Sequence, residues 1–256
     1  MAWPSTPGFV KTNLDLGTDD PSLARVDLYN ALTDIEAIIA GRGQASGVAP
    51  LDASTKIDRT YLPFANPIPK IVAYQTSGTP TWTVPAGCYR ILVECTGGGG
   101  GGGYSSTATH GGGGGGGGTA YKSWDVTPGD SVAMVIGAGG AGGAGPSDAD
   151  GSSGANSTVT INAVSITGNG GGGGGGATHF GGAAGSSSSG DVNIEGGTGQ
   201  TGAEYIGGAG GSTPRSGSAP GAGAGWGFGG GGYGSGDLGP GSGSTGKDGG
   251  VFIWYY

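Results

Sequence analysis

Three uninterrupted glycine tracts, Gly97–Gly103, Gly111–Gly118 and Gly170–Gly176, constrain this chain more than any other feature. Glycine has no side chain to bury and loses more conformational freedom on folding than any other residue. Such tracts either stay disordered or are held by main-chain bonding instead of a side-chain core. The tracts sit in a biased half: of 68 glycines in 256 residues, 7 precede Gly97 and 61 follow from it. Glycine- and serine-rich composition by itself is a signature of disorder. Collagen is excluded, because glycine shows no strict every-third-residue pattern across this half.

Strand signals flank the tracts and argue for order. "IVAYQ", "TWTV" and "YRILVE" precede the first tract, with Pro85-Ala86-Gly87 as a turn. "TAYKSWDV", the turn Thr127-Pro128-Gly129-Asp130 and "SVAMVIG" follow the second. "STVTINAVSITG" alternates with Val159, Ile161, Val164 and Ile166 on one face and Asn162-Ala163 as its turn; "DVNIE" is a further short strand. The closing "GVFIWYY" is too apolar to fray in water and is expected to be paired in a sheet. Polyglycine adopts an extended helix of the polyproline II type, with three residues per turn and no internal hydrogen bonds. Seven residues then span about 22 Å, close to the length of a flanking strand. Each net hydrogen bond contributes only about 1 kcal/mol against an entropic cost of similar size, so the tracts must pack as an array. The expected fold is mostly β with polyproline-II-like segments over residues 70–256.

The first half reads differently. Residues 1–19, with Trp3, Pro4, Pro7 and Phe9, form an irregular attachment segment. Asp20 is an N-cap, Pro21 fits the first helical position and Gly41 the C′ position, which predicts a helix within residues 20–41. Leu28, Leu32, Ile35 and Ile39 recur at spacings of 4, 3 and 4, a heptad seam. Packing on its own chain is the plainer reading of an amphipathic helix, but the neighbouring sequence offers little apolar material to cover it. A short coiled coil between copies is therefore expected, with these four residues carrying oligomerisation. Residues 42–69 read as an extended linker.

The net charge of −8, with no block of Lys or Arg, argues against nucleic acid and anionic membranes as partners. No apolar run approaches 18 residues, and "MAWPSTPGFV" lacks the pattern of a signal peptide. Cys88 and Cys95, about 23 Å apart if "CYRILVEC" is one strand, cannot form a disulfide and read as buried thiols.

Rods need loops at their ends, and these loops hold most of the remaining side chains. Tyr104, His110, His179, Phe180, Tyr205, Arg215 and Tyr233 are the candidate residues of a recognition surface on these loops. Trp226 and Phe228 either stack on a saccharide or plug gaps between rods.

"GVAPLDASTKIDRTYLP" (Gly47–Pro63) resembles a segment that recurs in bacteriophage tail fibres. "WTVPAGCYRILVECTGGGGGGG", "VTPGDSVAMVIGAGGAGG" and "GGVFIWYY" resemble the glycine-rich domain at the ends of such fibres, and the tracts are similar in style to polyglycine-helix adhesins. The resemblance implies a homotrimeric fibre in the virion. Its N-terminus would attach to tail-tip or baseplate proteins, and its distal loops would bind a host surface glycan or an outer-membrane or pilus protein.

Enzymatic signatures are weak. Polyglycine matches G-x-G-x-x-G trivially, and no Lys with a hydroxyl follows in Walker order. "DADG" (Asp148–Gly151) lacks the remaining ligands of a calcium loop. His110 and His179 have no Cys or carboxylate cluster beside them, and "NST" (Asn156–Thr158) is a formal sequon without consequence in a bacterial cytoplasm. No catalytic residue, metal or cofactor is expected. The alternatives to an adhesin are a purely structural tail or baseplate connector and, less favoured for want of paired carboxylates, a polysaccharide depolymerase.

Overall fold

A computed structural model describes residues 21–40, 69–106, 110–204, 206–217, 227–235 and 242–256. The chain divides into two units, Met1–Pro67 and Ile68–Tyr256. The attachment segment and nearly all of the expected linker lie outside the described residues.

In the first unit, Pro21–Ala40 forms the helix α1, with the bounds expected from Pro21 and Gly41. Leu32 and Ile35 of the heptad seam are exposed, as are Val26 and Tyr29. The side chains of Leu28 and Ile39 lie outside the described residues. These apolar side chains share the described surface of the helix with the exposed Arg25, Thr33 and Glu36.

The second unit contains ten strands: β1 (Lys70–Tyr74), β2 (Thr81–Thr83), β3 (Arg90–Thr96), β4 (Thr119–Asp125), β5 (Ser131–Val135), β6 (Ser157–Ile161), β7 (Val164–Gly168), β8 (Ser187–Ser188), β9 (Val192–Ile194) and β10 (Gly250–Tyr255). They form two antiparallel sheets, ordered β1-β10-β3-β4-β9 and β2-β5-β6-β7-β8. The closing apolar segment is paired on both sides, with β1 and with β3. Asn162 and Ala163 take φ of 47° and 66° between β6 and β7, as a tight two-residue hairpin demands, and Gly129 at φ 96° turns β4 into β5. Between the sheets lies one core: Ile91, Val93, Ile253 and Val251 from the first sheet meet Val132, Met134, Val159, Ile161 and Ile166 from the second. Val164, expected inside with Ile166, is exposed at the hairpin end of β7. Cys88 and Cys95 are free and both buried in this core. Cys88 lies two residues before β3, and burial pushes the Cys95 thiol up to about 12.

Beyond the sheets, strands continue into glycine-rich rods. Ten are described, spanning 97–103, 111–118, 137–143, 151–155, 169–175, 181–185, 196–200, 208–212, 229–235 and 243–249. Their hydrogen bonds repeat every third residue. Gly97, Gly100 and Gly103 donate to Gly118, Gly115 and Gly112; Gly98 and Gly101 donate to Ala155 and Ser152; Gly99 and Gly102 donate to Lys247 and Ser244. The same rod accepts from Gly140 and Gly143, from Gly171 and Gly174, and from Gly232 and Ser235. Six neighbours around one rod is hexagonal packing. Rod 111–118 likewise bonds to six rods: 97–103, 169–175, 181–185, 196–200, 208–212 and 229–235. Two central rods, the first two polyglycine tracts, are therefore wrapped by the other eight.

This explains the glycine. A three-residue turn presents each third residue to a different neighbour. A central rod has neighbours on all sides, so a Cβ at any position from Gly97 to Gly103 would stand within 3.0 Å of another rod's backbone. None of these glycines has a positive φ. Close approach, not backbone hand, requires them. Outer rods need glycine where they face a central rod or another outer rod, as Gly139 and Gly142 do against rod 243–249. In 151–155 only Gly151 and Gly154 meet a central rod, while Ser152 and Ser153 are exposed; in 137–143, Ala138 and Ala141 face out.

Candidate functional site

The rods run as antiparallel hairpins away from the sheets, so the rod ends that the sequence joins through 104–110, 144–150, 176–180, 201–207 and 236–242 gather at the opposite end. Residues 107–109, 205 and 236–241 lie outside the described residues. The tip is cross-linked by polar contacts. Tyr104 bridges Ala149, and the Ser106 N–H and hydroxyl donate to Asp148 at 2.6 and 2.8 Å. The Ser105 N–H donates to the Ser235 hydroxyl at 3.0 Å, and the Gly176 N–H to Asp150 at 2.7 Å. Gly202 N–H donates to the His179 carbonyl. The N–H and hydroxyl of Ser106 hold the Asp148 carboxyl below the usual aspartate range.

The candidate residues fall into three groups. Tyr104, His179 and Phe180 lie in the tip; Phe180 is 66% exposed, and His179 turns the loop at φ 61°. Tyr104 is half-buried, its ring laid against Gly145. His110 and Tyr233 belong to the tip end of their rods but are buried, which corrects the expectation that they display their side chains. A residue beside a central rod is enclosed by the rods around it. Tyr205 and Trp226 lie outside the described residues.

Arg215 is at the wrong end for the tip. Its Nε lies 2.7 and 2.8 Å from the two carboxylate oxygens of Glu94, and its guanidinium stacks 4.3 Å from the Phe252 ring centroid and 5.3 Å from that of Trp254. Glu94 is fully buried on β3. Burial pushes its carboxyl above the ordinary glutamate range, against the opposing pull of Arg215 and the Tyr121 hydroxyl. Arg215 clasps a loop to the sheet. Phe228 packs edge-on against Phe252 at 5.3 Å, at the same end.

Of the residues that organise the tip, Asp148 and Asp150 drew notice in the sequence only as an incomplete calcium loop, and Ser235 and the exposed Ile206 were not singled out. Their signal is positional: each lies within a few residues of a rod's end. The five tip connections contain Asp148, Asp150, Glu204 and Asp237 and no Lys or Arg. Among the described residues, no group of three or more His, Cys, Asp or Glu is placed to hold a metal ion, and no helix is long and apolar enough to cross a membrane.

A family model described as a glycine-rich domain matches residues 75–256. A search of curated proteins returns no match to the chain.

Proposed function

The chain belongs to the glycine-rich domain family, and from that premise we propose that it is a non-enzymatic bacteriophage tail-fibre protein that binds a host surface receptor through its tip. The observation that carries the reading is the gathering of the rod connections at one end of a backbone-bonded array, far from the sheets. Rods bonded on up to six sides hold the described ends of the connections in fixed relative positions, so little ordering entropy is spent there on contact. The tip presents an exposed aromatic, Phe180, and an exposed aliphatic, Ile206, among hydroxyls and carboxylates, a composition suited to recognition. The likeness of Gly47–Pro63 to tail-fibre segments supplies the phage context.

In this reading the N-terminal segment attaches to the tail tip or baseplate. The exposed Leu32 and Ile35 of α1 are covered by other copies in a homotrimer, and several fibres engage a glycan or surface protein together, so that weak contacts sum. The experiment is adsorption inhibition. Purified full-length protein should block attachment of its phage to sensitive cells, and Phe180→Ala should weaken the block. Protein that leaves adsorption unchanged at saturating concentration overturns the adhesin and favours a connector.

A further inference from the structure

At the sheet end of the array, between the end of β1 and rods 229–235 and 243–249, lies a cavity of about 480 Å³ lined by Gln75, Phe228, Thr245, Lys247 and Asp248. Its volume is within the range of small-molecule sites. The backbone around it is fixed. Lys247 donates its N–H to Gly230 and accepts from Gly99, and the Asp248 carbonyl accepts from Gly229. The Asp248 carboxylate is already engaged at both oxygens, by Gly139 N–H and Ser77 N–H, each at 2.9 Å. It shapes the wall more than it offers charge. The Thr213 hydroxyl holds the Phe228 carbonyl at 2.8 Å.

Charge singles out this cavity. From Gly97 onward the sequence contains three basic side chains, Lys122, Arg215 and Lys247. Lys122 pairs with Asp191 at 3.1 Å and Arg215 with Glu94 at 2.7 Å. Lys247 makes no ion pair within 4.0 Å among the described residues and is exposed beside the cavity. An ammonium with no ion pair within 4.0 Å among the described residues, though near enough to the Asp248 carboxylate to act on it, an aromatic ring, an exposed amide from Gln75 and an exposed hydroxyl from Thr245 therefore line one hollow.

We propose that this cavity is a second binding site, separate from the tip, for a saccharide unit bearing a carboxylate. Lys247 receives the carboxylate as a charge-assisted partner. Phe228 packs against the apolar C–H surface of the sugar, and Gln75 and Thr245 bond its hydroxyls. A neutral sugar lacks the group that Lys247 recognises, and a simple anion lacks the surface that Phe228 covers. The site owes nothing to the tip reading, since its residues lie at the other end of the rods.

The test is an NMR titration of the full chain with glucuronate, with glucose as the neutral control. Glucuronate should shift the amide resonances of Phe228 and Gly246–Asp248 saturably, and glucose should bind about tenfold more weakly. Lys247→Ala, an exposed truncation, should weaken glucuronate binding by about the same factor while leaving the remaining amide resonances of the fold in place. Gln75→Ala, also exposed, should weaken both sugars. The proposal is overturned by an absence of saturable shifts, by equal binding of the two sugars, or by shifts that persist undiminished in Lys247→Ala.

Discussion

The sandwich and the glycine array are two solutions to the same packing problem within one unit. In the sandwich, Ile91, Val93, Val159, Ile161 and Ile253 fill the space between sheets, and the free energy comes from apolar area removed from water. In the array there is almost no side-chain area to remove. Gly97–Gly103 and Gly111–Gly118 are as buried as the core strands, yet each residue contributes only its peptide group. The difference lies in tolerance. A side-chain core absorbs small changes by repacking, whereas touching backbones have nothing to move except other rods.

Gly114→Ala should break the comparison most severely. Its Cβ would collide with the backbone of Gly100 and Gly101, and the array should be lost at a cost above about 4 kcal/mol. Denaturant unfolding, with amide exchange confirming loss of protection across 97–118, measures it. Ile253→Ala leaves a cavity in the sandwich and should cost about 3 kcal/mol; the array amides should exchange only as fast as the lowered global stability allows.

Asp248→Asn sharpens the junction between the regions through pH. Burial pushes the Asp248 carboxyl up, but the N–H groups of Gly139 and Ser77 and the charge of Lys247 outweigh it and hold it below the ordinary value of 3.8. A depressed folded pKa contributes stability present above the unfolded value and lost as pH falls through the folded one. The variant should therefore show a shallower acid limb in melting temperature against pH. Gly217→Ala should do least. Among the described residues no atom lies within 4 Å of its would-be Cβ, so stability should stay within about 0.5 kcal/mol of the parent.

Much of the unit was legible without coordinates. Alternation and turn chemistry located nine of the ten strands, and Pro21 with Gly41 bounded α1. The two-residue strand β8, Ser187–Ser188, has no apolar alternation to mark it, and its neighbour β7 imposes it. A period-three signal was present but unread: Gly151 and Gly154, Gly182 and Gly185, Gly196 and Gly199, Gly208 and Gly211, and Gly243, Gly246 and Gly249 are the inward faces of outer rods. It was hidden because each rod is short and its phase restarts after every loop or strand. Arg215, His110 and Tyr233 were misplaced for a related reason. Nothing local tells a loop at the tip from a loop at the sheets, or a rod end enclosed by neighbours from one that is open.

Sequence alone determined that the glycine tracts could be ordered only by backbone bonding in an array, because residues without side chains have nothing else to pack. It also determined which segments alternate strongly enough to form strands. Only the tertiary structure decided that two tracts lie at the centre of ten rods, that the rod connections share one end, and that Arg215 and Lys247 meet different fates at the other. Those outcomes depend on which rods become neighbours. That is set by hydrogen bonds between segments more than a hundred residues apart, such as Gly99 and Lys247, which no local pattern encodes.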